Sequence, residues 1–116
     1  MAELIQETKT FMDALGYTKK DIQWIGGRDF TVPIDCFWNA KPQEYDSGYG
    51  CQEAAADLII MFKDGSWLER EEYDGSEWWI HREIPKMPLH IRKAKNFVGE
   101  YYPSLLSLNK DKNKDI

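Results

Sequence analysis

The sequence predicts an α+β fold in which an antiparallel β-sheet packs against an N-terminal amphipathic helix. Three observations carry that expectation. Apolar residues recur at helical spacing near the N-terminus. Two Asp-Gly pairs separate three apolar-rich stretches between Ala56 and Ile84. A composition of 42% hydrophobic and 30% charged residues over 116 positions suits one compact domain, expected over 1–108, with a disordered tail at 109–116. Aromatic residues make up 14% of the chain, a density foreign to disordered polymers.

From Ala2 to Leu15 the residues Leu4, Ile5, Phe11, Met12 and Leu15 fall on one side of a helix, with Glu3, Glu7, Lys9 and Asp13 between them. Gly16 sits where a left-handed C-cap ends such a helix. Asp21–Ile25 predicts a short strand that stops at Gly26-Gly27. After Thr31, Pro33 suits a first helical turn, and Ile34, Phe37 and Trp38 then share a face. Pro42 to Gly50 carries loop signals. The stretch 56–84 predicts a three-stranded meander, because Asp-Gly readily supplies the two positive φ angles of a type I′ turn. Beyond Pro85 an extended crossing is expected, with Leu89 and Ile91 as an edge strand and a helical piece within Ala94–Leu108 broken near Pro103. The residues from Asn109 onward are expected to fray.

If both Asp-Gly pairs are two-residue turns, each fixes a register. Across Asp64-Gly65, Phe62 faces Trp67, Met61 faces Leu68, Ile60 faces Glu69 and Ile59 faces Arg70. Across Asp74-Gly75, Glu72 faces Glu77, Glu71 faces Trp78, Arg70 faces Trp79 and Leu68 faces His81. One resulting face holds Leu58, Ile60, Phe62, Trp67, Tyr73, Trp78, Ile80 and Ile84, with Glu69, Glu71 and Arg82 among them, and is the one expected under the helix. The other holds Asp57, Ile59, Met61, Leu68, Arg70, Glu72, Glu77, Trp79 and His81. Two accounts of that second face stand side by side. Either Arg70 stacks on Trp79 and pairs with Glu72 on an ordinary solvated surface, or Arg70, Trp79 and His81 form a shelf for an anionic or aromatic ligand or a protein. A one-residue bulge at either turn would exchange the faces of a strand.

The net charge of −5 argues against nonspecific phosphate binding, so nucleic acid is not an expected partner. Residues 1–90 carry nine basic and seventeen acidic groups, net −8, whereas residues 91–116 carry six and three, net +3. Cys36 and Cys51 match no zinc spacing and are expected reduced and buried. No apolar run reaches the roughly 20 residues that span a bilayer, and no secretory pattern opens the chain. A soluble cytoplasmic protein without membrane contact is therefore expected. No phosphate-cradling glycine motif, nucleophile elbow or His-Glu-x-x-His motif is present. No metal or other cofactor is expected, although Glu44, Asp46, Glu53 and Asp57 flank the Gly48–Cys51 loop in an arrangement unlike a calcium loop.

The run Glu44-Tyr45-Asp46-Ser47-Gly48-Tyr49-Gly50-Cys51-Gln52-Glu53, then Asp57-Leu58-Ile59-Ile60, Asp64-Gly65-Ser66-Trp67-Leu68-Glu69-Arg70 and Glu72-Tyr73-Asp74-Gly75-Ser76-Glu77-Trp78-Trp79, resembles a family of small uncharacterised proteins of Firmicutes phages and prophages. The resemblance covers most of residues 3–85 and transfers no catalytic residue. It implies a phage-encoded accessory protein in the host cytoplasm, more readily a binder than an enzyme. The expected function is thus non-enzymatic binding or inhibition of a host or defence component, or of a ligand, through Arg70, Glu72, Trp79, His81, Tyr45, Asp46 and Tyr49. The alternative is a small metal-dependent hydrolase or nucleotide-processing enzyme using Asp46, Glu53, Asp57 or Glu72. Self-association into a homo-oligomer is a further expectation.

Overall fold

The computed structural model of the protein describes residues 2–48 and 50–113. The chain divides into two compact units, Met1–Ile84 and Pro85–Ile116, a boundary that falls inside the 1–108 span predicted as one domain. The first unit is an α+β fold with an N-terminal helix and antiparallel sheets. Among the described residues, no helix is long and apolar enough to cross a membrane.

Strand β1 (Ala2–Glu3) leads directly into helix α1 (Leu4–Leu15). Glu3 caps the helix: its carboxylate accepts from the Ile5 and Gln6 amides at 2.7 and 3.0 Å. The same carboxylate accepts from Gln43 N–H at 2.9 Å, tying the helix start to a distant loop. This donor set, led by the Gln43 amide, holds the Glu3 carboxyl below its ordinary pKa. At the other end the Gly16 and Tyr17 amides close back on the Asp13 and Met12 carbonyls. Leu4, Thr8 and Met12 form a buried stripe at i, i+4 and i+8, and Ile5 is buried beside it. Leu15, expected on the apolar side, is 40% exposed.

A 3₁₀ turn at Lys19–Asp21, closed by the Thr18–Asp21 capping box, feeds β2 (Ile22–Gly26). β3 (Thr31–Val32) folds back on β2, and α2 (Ile34–Trp38) begins straight after Pro33. The predicted Pro42–Gly50 loop contains β4 (Glu44–Tyr45), which pairs with β1 as a small second sheet. The meander is present as β5 (Ile59–Phe62), β6 (Trp67–Tyr73) and β7 (Ser76–Arg82). The main sheet runs β3-β2-β5-β6-β7, antiparallel throughout.

The two hairpins part company at their turns. Asp74 (φ 51°) and Gly75 (φ 86°) form the predicted two-residue turn, and every pair computed across it is observed, from Glu72↔Glu77 to Leu68↔His81. The first hairpin is slipped by one: Ile60 faces Leu68, Ile59 faces Glu69 and Met61 faces Trp67. Its loop is Lys63-Asp64-Gly65. Gly65 N donates to Phe62 O at 3.1 Å, Gly65 takes φ 89°, and Phe62 N donates to Ser66 O at 2.9 Å. That is a three-residue loop in which the glycine supplies a bulge.

The slip rotates β5 relative to β6 and β7, which corrects the predicted faces. Ile60 and Phe62 now share a side with Leu68 and Trp79, and with Ile22 and Ile25 of β2 they build the core under α1. Ile34, Phe37 and Trp38 of α2 pack against that same cluster. Trp67, Trp78 and Ile80, expected under the helix, lie on the other face. Cys36 and Cys51 are free, and both are exposed rather than buried.

In the second unit Leu89 and Ile91 form no strand and are 94% and 97% exposed. Helix α3 (Leu105–Asn113) starts just after Pro103, with Ser104 Oγ accepting from the Ser107 amide at 3.0 Å. The helix extends into the segment expected to fray, whose residues 114–116 lie outside the described residues. Leu108 and Asn109 are buried, and Asn109 Nδ2 donates to the Asn96 and Leu105 carbonyls at 3.1 and 2.8 Å.

Candidate functional site

The predicted shelf is largely interior. Arg70 and Trp79 are 6% and 2% exposed, because the corrected register turns them toward α1. Arg70 Nη2 donates to Tyr45 OH and to Glu77 Oε1, both at 3.0 Å, and Nη1 donates to Glu7 Oε2 at 3.2 Å. The guanidinium lies 4.8 Å from the Trp79 ring centroid and 5.5 Å from that of Tyr45. Trp79 Nε1 donates to Thr8 Oγ1 at 2.9 Å, and that hydroxyl donates onward to Leu4 O at 2.7 Å. Glu77, also buried, accepts the Glu53 and Ala54 amides at 2.7 and 3.2 Å, pinning the loop before β5.

The electrostatics of this cluster follow from its hydrogen bonds. Burial works against the charged form of Arg70, yet its bonds to Tyr45, Glu77 and Glu7 outweigh that penalty and raise its pKa. Burial also raises the Tyr45 hydroxyl, helped by the Glu7 carboxylate that accepts its proton. Arg70 Nε has no partner among the described residues, so satisfaction of the guanidinium rests on its two terminal nitrogens. The predicted pairing of Arg70 with Trp79 is observed, and Tyr45 joins them in a polar knot inside the core.

The remaining predicted residues are dispersed. Glu72 is exposed at the β6–β7 turn, where its carboxylate accepts the Gly75 amide at 2.9 Å. Asp46 accepts the Gly48 amide at 3.0 Å in a local turn. Tyr49 lies outside the described residues. His81 is half-buried against Tyr17, with Nε2 3.4 Å from the phenol oxygen. Tyr17 stacks on Phe62 at 3.9 Å and donates to Asp64 Oδ2 at 2.5 Å, while Ser66 N and Oγ donate to Asp64 Oδ1 at 2.8 and 2.5 Å. These bonds, the Ser66 hydroxyl first and then Tyr17, lower the Asp64 carboxyl to about 2. Burial and the Asp64 carboxylate raise Tyr17.

The exposed chemistry of the first unit lies on the outer face of the main sheet. Register aligns Trp24, Met61, Trp67 and Arg82 across four strands, then Ile59, Glu69 and Ile80, then Glu71 and Trp78. Trp78 is 39% exposed, and the Glu69, Glu71 and Arg82 side chains are 38%, 45% and 52% exposed. Arg82 reaches Glu69 at 3.6 Å and Glu71 at 3.7 Å, and Trp67 Nε1 donates to Glu69 at 2.8 Å. Both helices of this unit pack on the opposite face. The sequence grouped Trp67, Trp78, Glu69, Glu71 and Arg82 correctly with one another and placed them on the wrong side of the sheet. Glu7 and Thr8 went unflagged, although the i, i+4, i+8 stripe contains Thr8; nothing in the sequence pointed to Tyr17.

A cleft of about 310 Å³ is lined by Leu4, Gln43, Tyr45, Glu53, Ala54 and Leu58. Among the described residues, no three His, Cys, Asp or Glu side chains gather as a metal-holding group. No family model, curated protein or solved structure matches the chain.

Proposed function

We propose that the protein is a non-enzymatic binding protein, phage-encoded and directed at a host or defence component, that engages its partner through the outer face of the main sheet. The observation that carries this reading is the concentration on that face of Trp24, Trp67 and Trp78 with Glu69, Glu71 and Arg82, while both helices lie on the other side. Tryptophan and arginine are the side chains most often found as binding hot spots, because a large flat group loses little entropy on being covered. A half-exposed apolar face rimmed by charges is also what an interaction surface requires. The phage setting rests on the family resemblance alone.

The test is affinity capture from host lysate by the full chain, followed by titration of the captured protein. Trp24→Ala combined with Glu71→Lys is expected to weaken binding by 30-fold or more, about 2 kcal/mol for loss of a hot spot. Glu72→Ala, on the exposed turn, should leave binding unchanged. Equal capture by all three chains would refute the outer face as the binding surface.

A further inference from the structure

Between β7 and α3 the chain forms no helix or strand from residue 83 to residue 104. Residues 85–98 carry Lys86, Arg92, Lys93 and Lys95 and no Asp or Glu, a local charge of +4 in a chain of net −5. Met87, Leu89 and Ile91 are 89%, 94% and 97% exposed, and Phe97 and Val98 are exposed beyond them. A single apolar side chain on a surface needs no explanation, but five within this short stretch, interleaved with cations, mark an interaction surface.

Proline orders the first part of this segment. Pro85 and Pro88 have a fixed φ and steer Ile84 and Met87, the residues before them, away from helical backbone and toward extended conformations. An extended backbone sends successive side chains to opposite sides, so Met87, Leu89 and Ile91 share one edge while Lys86, His90 and Arg92 share the other. Farther along, the Asn109 side chain of α3 accepts the Asn96 amide at 3.2 Å and donates to the Asn96 carbonyl at 3.1 Å, tying the ribbon to a buried residue.

These side chains discriminate among anionic partners. Nucleic acid rewards cations and flat rings, but Met87, Leu89 and Ile91 have no π face to stack on a base, and phosphate contacts would leave them in water. An acidic protein would need a pocket shaped for each of them, set against a segment without regular structure. An anionic lipid surface meets both edges at once, because its phosphates take the cations and the acyl boundary beneath takes aliphatic groups in any arrangement. Charges are screened beyond about 8 Å at physiological ionic strength, so the local +4 rather than the net −5 sets the attraction. We propose that residues 85–98 lie on an anionic lipid surface, with Met87, Leu89 and Ile91 at the acyl boundary and Lys86, Arg92, Lys93 and Lys95 among the phosphates. The expectation of no membrane contact rests on spanning length, which a segment lying in the interface does not need. The proposal does not depend on the outer face of the main sheet being a binding surface.

Co-sedimentation of the full chain with vesicles tests this. Wild type should pellet with equimolar phosphatidylglycerol and phosphatidylcholine, stay in the supernatant with phosphatidylcholine alone, and bind less as salt is raised. Lys93→Gln with Lys95→Gln should weaken binding about 25-fold, roughly fivefold for each cation removed. Leu89→Ser with Ile91→Ser keeps every charge and should still cost about tenfold or more, which adsorption by charge alone would not show. All four substituted side chains are exposed and lie outside helices and strands, so circular dichroism of both variants should match wild type. Should a variant lose that spectrum, the wild-type comparison of anionic with neutral vesicles decides. No binding to anionic vesicles, equal binding to neutral ones, or unchanged binding by either natively folded variant would overturn the proposal. Tighter binding to a single-stranded oligonucleotide or to polyglutamate than to anionic vesicles would overturn it as well, and assign the segment to that partner.

Discussion

Arg70 shows how one side chain can be conspicuous in sequence and structural in the fold. Arg70 is expected to form a ligand shelf with Trp79 and His81, but Tyr45, Glu7 from α1 and Glu77 from β7 complete its set inside the core. Removing one member of a buried ion pair leaves the other without compensation, which costs about 3–5 kcal/mol. Arg70→Met is therefore expected to lower unfolding stability by that amount in urea denaturation, and to abolish cooperative unfolding if total stability is near the low end for a small domain. Asp64 works at the surface, where Ser66 and Tyr17 hold its carboxyl at about 2 instead of 3.8. A depressed folded-state pKa means that its contribution is complete above about 3.8 and is lost as pH falls toward 2. Asp64→Asn should flatten the pH dependence of unfolding free energy in that window, measured against wild type.

The two hairpins separate what a dipeptide specifies from what it leaves open. Asp-Gly marks a reversal reliably, since both residues tolerate the left-handed region. It does not fix the loop length. Asp74-Gly75 occupies both central positions of a two-residue turn, whereas Asp64-Gly65 fills the last two places of a three-residue loop whose bulge residue is Gly65. The Tyr17–Asp64–Ser66 bonds belong to the second arrangement and anchor it to the segment after α1. Because Gly75 sits at φ 86°, Gly75→Ala should destabilise the protein by about 1–2 kcal/mol, read as a shift in urea midpoint at constant m. Length likewise decided β1 and β4: two residues each are too few for a periodic signal, and the Gln43–Glu3 bond that seats them joins positions forty apart.

At the scale of the molecule, the division at Ile84 and Pro85 separates an aromatic, acidic body from a more basic segment. Lys86, Arg92, Lys93 and Lys95 are exposed and lie outside regular secondary structure, whereas Arg70 is buried in a strand. Brief trypsin treatment should therefore cut first between Lys86 and Lys95, and mass spectrometry should find a fragment ending there before any cleavage at Arg70. The N-terminal helix, the α2 turn after Pro33 and the three-stranded meander were all legible in the sequence. The edge strand at Leu89 and Ile91 was not realised. Alternation of apolar residues says which side chains would share a face, and gives no partner for that face to meet.

The sequence by itself determined where this chain turns, which residues alternate together along each strand, and that a helix with one apolar stripe would cover a sheet. Only the tertiary structure decided which side of the sheet that helix covers. Both faces of the meander are mixed in character, so burial pattern alone does not choose between them. A single extra residue in the β5–β6 loop aligns Ile60 and Phe62 with Leu68 and Trp79, gathering four large apolar groups on one side, and leaves Trp24, Trp67 and Trp78 on the other.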